Sequence, residues 1–581
     1  MAAHCSIVPI PDSECPNSTW QGNSTMRLAR LVREPNTAPS PAKSLLALPQ
    51  EIVEDILLRL DTVDILACRQ VCRYLSSLSD RPATRYNLML AKGGMVRDDV
   101  CKMSSAEGIA VLGEYEAAWR SAVPSPGTEA LAYHQNSGSR CIPFSGSLIP
   151  TTLGTQMALF YHGCTLRRVE SRTWHVDLDI LQVEPHYCAS DMSQDLLVLS
   201  GSSLLHPSLR CHLLSLANPI PSYVPEAREP FFEIPATFPE AKTLKIVVFG
   251  DLLGWMTLSG ERLYDLRVHN WRMGTLLWRC THIQIFHFAF VSQSHVVVAC
   301  HRELRIRAID PLDPINAEAP PEPFPHLSFT RVLGLPPLVG KGDFLSICAL
   351  ESQRRQAPTN SSAALEPDPR LAILAIQLIA HSRICYPETR VPAELPEAFF
   401  LLVPLSSILE ATKEGLPKSM GSDRVAPPPV PWGHWGSLSR IIQHVPNSED
   451  WALLEISVLG SRCAVLYAHW TDAYPLTTEV CVFDAHRWAG LRVGRHVDDD
   501  RAAVARVFDV SRVIRHSEIL RCPISNTLSM RVFRKRLTYP VYVNCFWGNL
   551  SVRLVDDGLL LMNRQHGDPN IRGWMMHVWS V

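Results

Sequence analysis

Cys68 and Cys72 stand four residues apart, a spacing that puts two thiols on one face of a helix and would supply half of a metal site. A metal needs a second pair, and no cysteine or histidine pair lies nearby at ligand spacing, so both read as small core residues. Cys280, His282 and His287 form the other compact group. His287 falls between aromatics in Ile285-Phe286-His287-Phe288, a strand-like run that would hold its histidine within a sheet. No metal site is expected from either. Gly334 and Gly340-Lys341-Gly342 suggest a phosphate loop, but the glycine spacing is one residue too long. Gly342 also stands where Ser or Thr would hold magnesium, so the segment reads as a turn before a strand at Phe344. The G-x-S-x-G, H-E-x-x-H and G-x-G-x-x-G patterns are absent. Enzyme chemistry here would take the form of dispersed Ser, His and Asp residues brought together by the fold, and no cofactor is implied. Aromatic recognition has better candidates. Trp255, Trp271 and Trp278 are expected to pack between sheets, whereas Trp432 and Trp435, in Pro431-Trp432-Gly433-His434-Trp435-Gly436, are candidate target-binding anchors on a loop.

The chain that must position these residues has 581 of them, more than one hydrophobic core usually organises, so two or more folding units are expected. Apolar residues at 46% and charged residues at 19% describe an ordinary globular protein, and 45 prolines favour many turns over long helices. A net charge of −2 and a pI near 6.9 provide no footprint for nucleic acid or an anionic membrane. No run of apolar residues is long enough to span a bilayer, and Met1–Pro11 lacks the basic and apolar regions of a secretory signal. The 17 cysteines are odd in number and scattered, which suits reduced thiols in the cytoplasm or nucleus.

Residues 1–43 are rich in Pro, Ser, Asn and Thr without periodicity and read as disordered. From Ser44 the pattern changes. Pro49 suits a first helical turn, Glu51, Glu54 and Asp55 complement a helix N-terminus, and Ile52, Ile56 and Leu60 recur every four residues beside Val53 and Leu57. Asp61 with Asp64 predicts a capped second helix, buried along Ile65, Cys68, Val71, Cys72, Leu75 and Leu78. Two short amphipathic helices with almost no loop cannot cover each other fully, so a partner surface is required. Farther on, Ser104 and Glu107 form a capping box for a helix with Ile109, Leu112, Tyr115 and Trp119 on one side.

Leu48-Pro49-x-Glu51-Ile52, Ile56, Leu60-Asp61, Asp64-Ile65-Leu66 and Val71-Cys72-Arg73-Tyr74-Leu75 together resemble the F-box motif, from Leu45 to about Arg81. The helical stretch after it is similar to the region that follows the F-box in divergent fungal F-box proteins. The resemblance implies an F-box over 44–81 and a helical extension over 82–122. It also implies that Leu48, Pro49, Ile52, Ile56, Leu60, Leu66 and Val71 present an apolar surface to a Skp-type adaptor, which bridges to a cullin–RING scaffold. A protein target for ubiquitylation would be held by the remainder of the chain. Adaptor binding without ubiquitylation, as a scaffold, is the alternative, and an enzyme with a dispersed site is the second.

From about 130 to 581 the texture is short β-branched runs split by turns, such as Leu196–Gly201, Leu244–Asp251, His295–Cys300, Leu371–Ile376 and Thr478–Asp484. Asp251–Met256, Leu263–Val268 and Gly274–Trp278 follow one another as strands of one propeller blade would, and groups recur at roughly 40–60 residues. The fold class expected is therefore a small all-α module followed by a large all-β domain, an irregular propeller of six or seven blades. A β-sandwich is the alternative. Gly573–Val581 reads as a closing strand. Glu318–His326, Ala357–Asp368 and Pro417–Trp432 read as inserted loops. The stretch Pro124–Gly127 reads as a linker that would let 130–581 fold by itself.

Overall fold

A computed structural model describes residues 45–580, except 98–102, 122–129, 132–139, 164–168, 236–240, 259–262, 316–321, 324–330, 337–343, 352–364, 382–397, 414–428, 444–450, 470–476, 490–529, 539–549, 566–572 and a few one- or two-residue breaks. Residues 1–43, the linker at Pro124–Gly127 and Gly340–Gly342 lie outside the described residues. By compactness the chain divides into Met1–Ile56 and Leu57–Val581.

Helix formation at the N-terminus follows the apolar periodicity. Helix α1 covers Gln50–Arg59, with Glu51 in its first turn and Arg59 in its last, charges that oppose the helix dipole favourably. The second predicted helix is two. α2 runs Thr62–Val71 and α3 runs Arg73–Ser79, because Cys72 adopts an extended conformation between them. Asp61 stands at the N-cap position of α2, yet its side chain makes no cap hydrogen bond. α4 spans Pro82–Gly93, with proline in the first turn where it displaces no hydrogen bond. Gly94, at φ 65°, ends α4 in the left-handed conformation that glycine adopts most cheaply. α5 spans Ser105–Ser121 and opens with the predicted capping box: the Ser104 N–H donates to Glu107 Oε2 at 2.9 Å, and the Glu107 N–H to Ser104 Oγ at 3.3 Å. Gly108 lets α5 lie against α4, since a Cβ there would come within 2.4 Å of the Tyr86 ring.

The rest is an all-β domain arranged as a propeller. Seven sheets of four or more strands follow in chain order among the described residues. Their long first strands include Val183–Asp191, Lys242–Phe249, His287–Ser292, Phe344–Glu351, Trp451–Leu459 and Leu550–Val555. Each sheet lies against the next, and the ring closes. Closure is made by antiparallel strand pairing: Ala130–Leu131, at the start of the domain, pairs with the last strand, Gly573–Ser580, in the register Ala130↔His577 and Leu131↔Met576. The predicted closing strand thus seals the ring. Most of the core is a series of apolar layers between neighbouring sheets, for example Ile246, Leu253, Trp255 and Trp271 against Leu196, Val198, Cys211 and Leu213.

α4 and α5 are part of that core. Tyr86, Leu90, Met95, Met103, Leu112, Tyr115 and Trp119 pack in one cluster with Leu459, Leu466, Val480, Val552 and Leu554 of the last two sheets. Arg462 of the sixth sheet donates to Tyr115 Oη at 3.0 Å and stacks over the Trp119 ring at 4.3 Å. Met95–Arg97 pairs with Leu365–Pro367, and the Asp368 N–H donates to the Gly94 carbonyl at 2.9 Å. Two expectations are corrected. The helical extension expected over 82–122 as a body apart shares a core with the propeller through α4 and α5. The C-terminal end of Ala357–Asp368 is a docking strand, with Leu365 buried. Sequence periodicity could not show either, because each depends on contacts hundreds of residues apart.

Candidate functional site

The seven residues expected to meet an adaptor share one property: none is buried. In the first unit Leu48, Pro49 and Ile52 are exposed, Ile52 at 49%, and Ile56 is half-buried. In the second, Leu60 and Leu66 are half-buried, and Val71 is exposed at 72%. Their neighbours on the same helices go the other way. Val53 and Leu57 on α1, Ile65 on α2 and Leu75 and Leu78 on α3 are buried. The apolar residues read from sequence as one face are therefore divided in each unit, some buried and others left in water. Helical spacing explains the division: Ile52 and Ile56 are one row on α1, and Val53 and Leu57 the adjacent row. Val71, expected on the buried side of its helix, lies on the exposed one. Leu45, Leu46, Leu58, Val63 and Tyr74 are further exposed apolar side chains that the sequence reading left out. Leu45 and Leu46 carried a signal, two leucines at the very start of the motif. Uncovered aliphatic side chains at this density are unusual on a monomer surface and suit an interface.

Glu51, Asp55, Asp61 and Asp64 are exposed, and Arg69 pairs with Asp80 at 2.9 Å at the far end of α2 and α3. The Arg370 guanidinium, held chiefly by hydrogen bonds to Asp368 and also by the Asp61 charge, has its pKa raised. Asp61, expected to cap α2, makes no side-chain cap hydrogen bond there.

Trp432 and Trp435 require a correction. They form a short helix, Trp432–Trp435, and are 4% and 1% exposed, inside the cluster built by Leu333, Leu374, Leu401, Leu405 and Ile408. The rings meet edge to face at 4.6 Å, and Trp435 Nε1 donates to the Gly334 carbonyl at 3.1 Å. The surrounding Pro and Gly residues signalled a loop correctly, but the loop folds back onto Arg331–Gly334, where the Val430 N–H donates to the Val332 carbonyl at 2.7 Å. Two indoles carry too much apolar area to stay in water when such a surface is within reach.

Among the described residues, one serine, aspartate and histidine fall together. Ser461 Oγ donates to Asp484 Oδ1 at 2.8 Å, and His486 Nε2 lies 3.7 Å from the same oxygen. This trio sits under Gly94, with Asp484 and His486 buried, and its serine is bonded to the carboxylate where a nucleophile would bond to imidazole. Burial pushes the Cys300 thiol up to about 12. Cys280 lies in the core, and no group of three or more potential ligands gathers among the described residues.

Two buried histidines make the fold acid-sensitive. Burial, with the Arg267 charge, lowers the His269 pKa to about 3, and burial, with Arg210, lowers that of His212 to about 4. Both values lie below the unfolded value of about 6.5, so the unfolded chain binds more protons as pH falls through that window. Stability is full above about pH 6.5 and declines below it. At pH 5 each histidine is expected to cost about 2 kcal/mol, which urea denaturation at pH 7.5 and 5 measures. His269→Phe should flatten the dependence. A slope unaltered by that change would assign the acid sensitivity elsewhere.

The F-box domain model matches residues 45–85. No curated protein matches the sequence. Among solved structures, the chain is similar to the extracellular domains of Drosophila Semaphorin 1b, at 11% identity over 78% of this chain and 87% of that one, with a TM-score of 0.34. It is also similar to Hsv2p of Kluyveromyces lactis, at 13% identity over 43% of this chain and 73% of that one, with a TM-score of 0.21.

Proposed function

Residues 45–85 are an F-box domain set ahead of an all-β propeller, and we propose that the chain is the substrate-recognition subunit of a Skp–cullin–F-box ubiquitin ligase. F-box domains bind Skp-type adaptors, which is the general kind of partner this domain takes. The observation that carries the reading is the exposure of apolar side chains within the F-box in each unit: Leu48, Pro49 and Ile52 remain in water in the first while Val53 is buried, and Val71 remains in water in the second while Leu57 and Ile65 are buried. An apolar helical partner that covers those side chains would gain roughly 25 cal/mol for each Å² removed from water.

The adaptor would connect the chain indirectly to a cullin–RING scaffold, and the propeller would hold a protein target. Acceleration of ubiquitin transfer would come from effective concentration, with the bond-making groups on other subunits. Work of this kind belongs in the cytoplasm or nucleus, and it asks for no cofactor.

Co-purification of the full chain from cells with its adaptor and a neddylated cullin tests the reading. Both partners should be recovered with the wild-type chain, and both should be lost with Leu48→Ala/Pro49→Ala. Adaptor recovered without cullin would contradict a ligase role and leave a scaffold.

A further inference from the structure

The propeller face away from the helical dock carries a rigid apolar projection. In antiparallel sheets built alike around a ring, every turn between first and second strands lies on one face, and every turn between second and third strands on the other. α4 and its C-terminal glycine meet the first face: Gly94 lies against Ser461 and His486, and Ser461 belongs to the first turn of the sixth sheet. In the second sheet the corresponding turn is 192–195, and Ser203–Pro207 joins the next pair of strands on the opposite face. The short helix Leu178–Leu181 enters the same sheet at that end, and the Leu204 N–H donates to the Gln182 carbonyl at 2.9 Å.

These two connections expose Ile180 at 79%, Leu204 at 58% and Leu205 at 61%. The exposure is built in. Asp177 accepts hydrogen bonds from the N–H groups of Asp179 and Ile180, while Leu178 and Leu181 are buried as anchors. Gln182 closes the helix at φ 51°, a left-handed conformation that a residue with a side chain adopts only at a cost. Ser203 Oγ accepts from the N–H groups of Leu205 and His206 at 3.3 Å each. A strained, hydrogen-bonded frame that holds three aliphatic side chains in water has no use in the isolated fold.

Charge selects among occupants. Between residues 177 and 184 and between 203 and 208 every fully ionised side chain is a carboxylate: Asp177, Asp179 and Glu184. An anionic lipid surface would be repelled there, and a segment with acidic flanks likewise. Resting on the ligase reading above, we propose that Ile180, Leu204 and Leu205 form the docking point for a target protein's amphipathic segment, with Leu- or Ile-type side chains on one face and Lys or Arg beside them.

Binding of labelled helical peptides to the full chain, read by fluorescence anisotropy, tests this. The probe is a peptide of about five helical turns with leucine on one face and lysine on the other. Its counterpart carries glutamate in place of lysine. The Leu/Lys peptide should bind the wild-type chain, and Leu204→Ser/Leu205→Ser should weaken it tenfold or more, as should Ile180→Ser. The glutamate peptide should bind at least tenfold more weakly than the lysine one. Undetectable binding of the Leu/Lys peptide, equal binding by the serine variants, or equal binding of the two peptides would overturn the proposal. So would capture of the chain by phosphatidylcholine–phosphatidylserine vesicles that the serine variants abolish. Adaptor binding measured on the same samples should be the same for wild type and serine variants. Absence of adaptor binding by the wild type, with the peptide result intact, would count against the ligase reading, and loss of the peptide effect with adaptor binding intact would count against this docking point.

Discussion

Trp432→Ala and Trp435→Ala are each expected to destabilise the protein by about 3–5 kcal/mol, the range for truncating a buried aromatic. Each substitution empties a large part of the layer between the fourth and fifth sheets, and Trp435→Ala also strips the Gly334 carbonyl of its indole donor. Thermal unfolding followed by circular dichroism should show a fall in Tm for both. Phe, which refills most of the volume, should restore more of the loss at 432 than at 435, where it leaves the carbonyl unpaired. Normal stability in the alanine variants, with loss of a bound protein only, would return these residues to recognition.

An equally large effect is expected when residues 130–581 are produced alone. Removal of α4, α5 and Met95–Arg97 uncovers Leu365, Leu459, Leu466, Val480, Val552 and Leu554 and opens the buried Arg462–Asp484 pair, 3.8 Å apart, to a half-covered edge. A charge pair that loses its surroundings and an apolar layer that loses its cover both favour association. The fragment should elute as aggregate in size exclusion, while the full chain elutes as a discrete species. A fragment that is monomeric and melts at the same temperature as the full chain would show that the helices only rest on the propeller.

Much of the architecture was legible because it is written in local periodicity. Strand-length β-branched runs at 196–201, 295–300 and 478–484 fall within strands, and the three strands read after Asp251 form consecutive members of one sheet. The Ser104–Glu107 box is a four-residue device, so its spelling suffices. Asp61–Asp64 has similar spelling, yet Asp61 makes no side-chain cap hydrogen bond, so spelling alone does not secure the device. The break at Cys72 likewise leaves no glycine or proline to announce it. The candidate site was half legible. Apolar spacing identified the α1 rows, but which of Ile52 and Val53 points into water is decided by what lies beneath, and that is tertiary. Trp432 and Trp435 show the same limit: their flanks describe a loop, and only the Arg331–Gly334 edge determines where the loop goes.

The most direct measurement is the affinity of a purified Skp-type adaptor for the full chain, wild type against Ile52→Asp and Val71→Asp. Both positions are exposed, so an aspartate there is solvated in the free chain and becomes costly only under an apolar partner. A desolvated charge worth several kcal/mol weakens a complex by roughly a hundredfold or more, since each 1.4 kcal/mol is tenfold. Adaptor binding by the wild type is expected, with at least hundredfold weaker binding by each variant and the same Tm for all three. Equal binding by wild type and variants, or absence of binding by a folded wild-type chain, would contradict it.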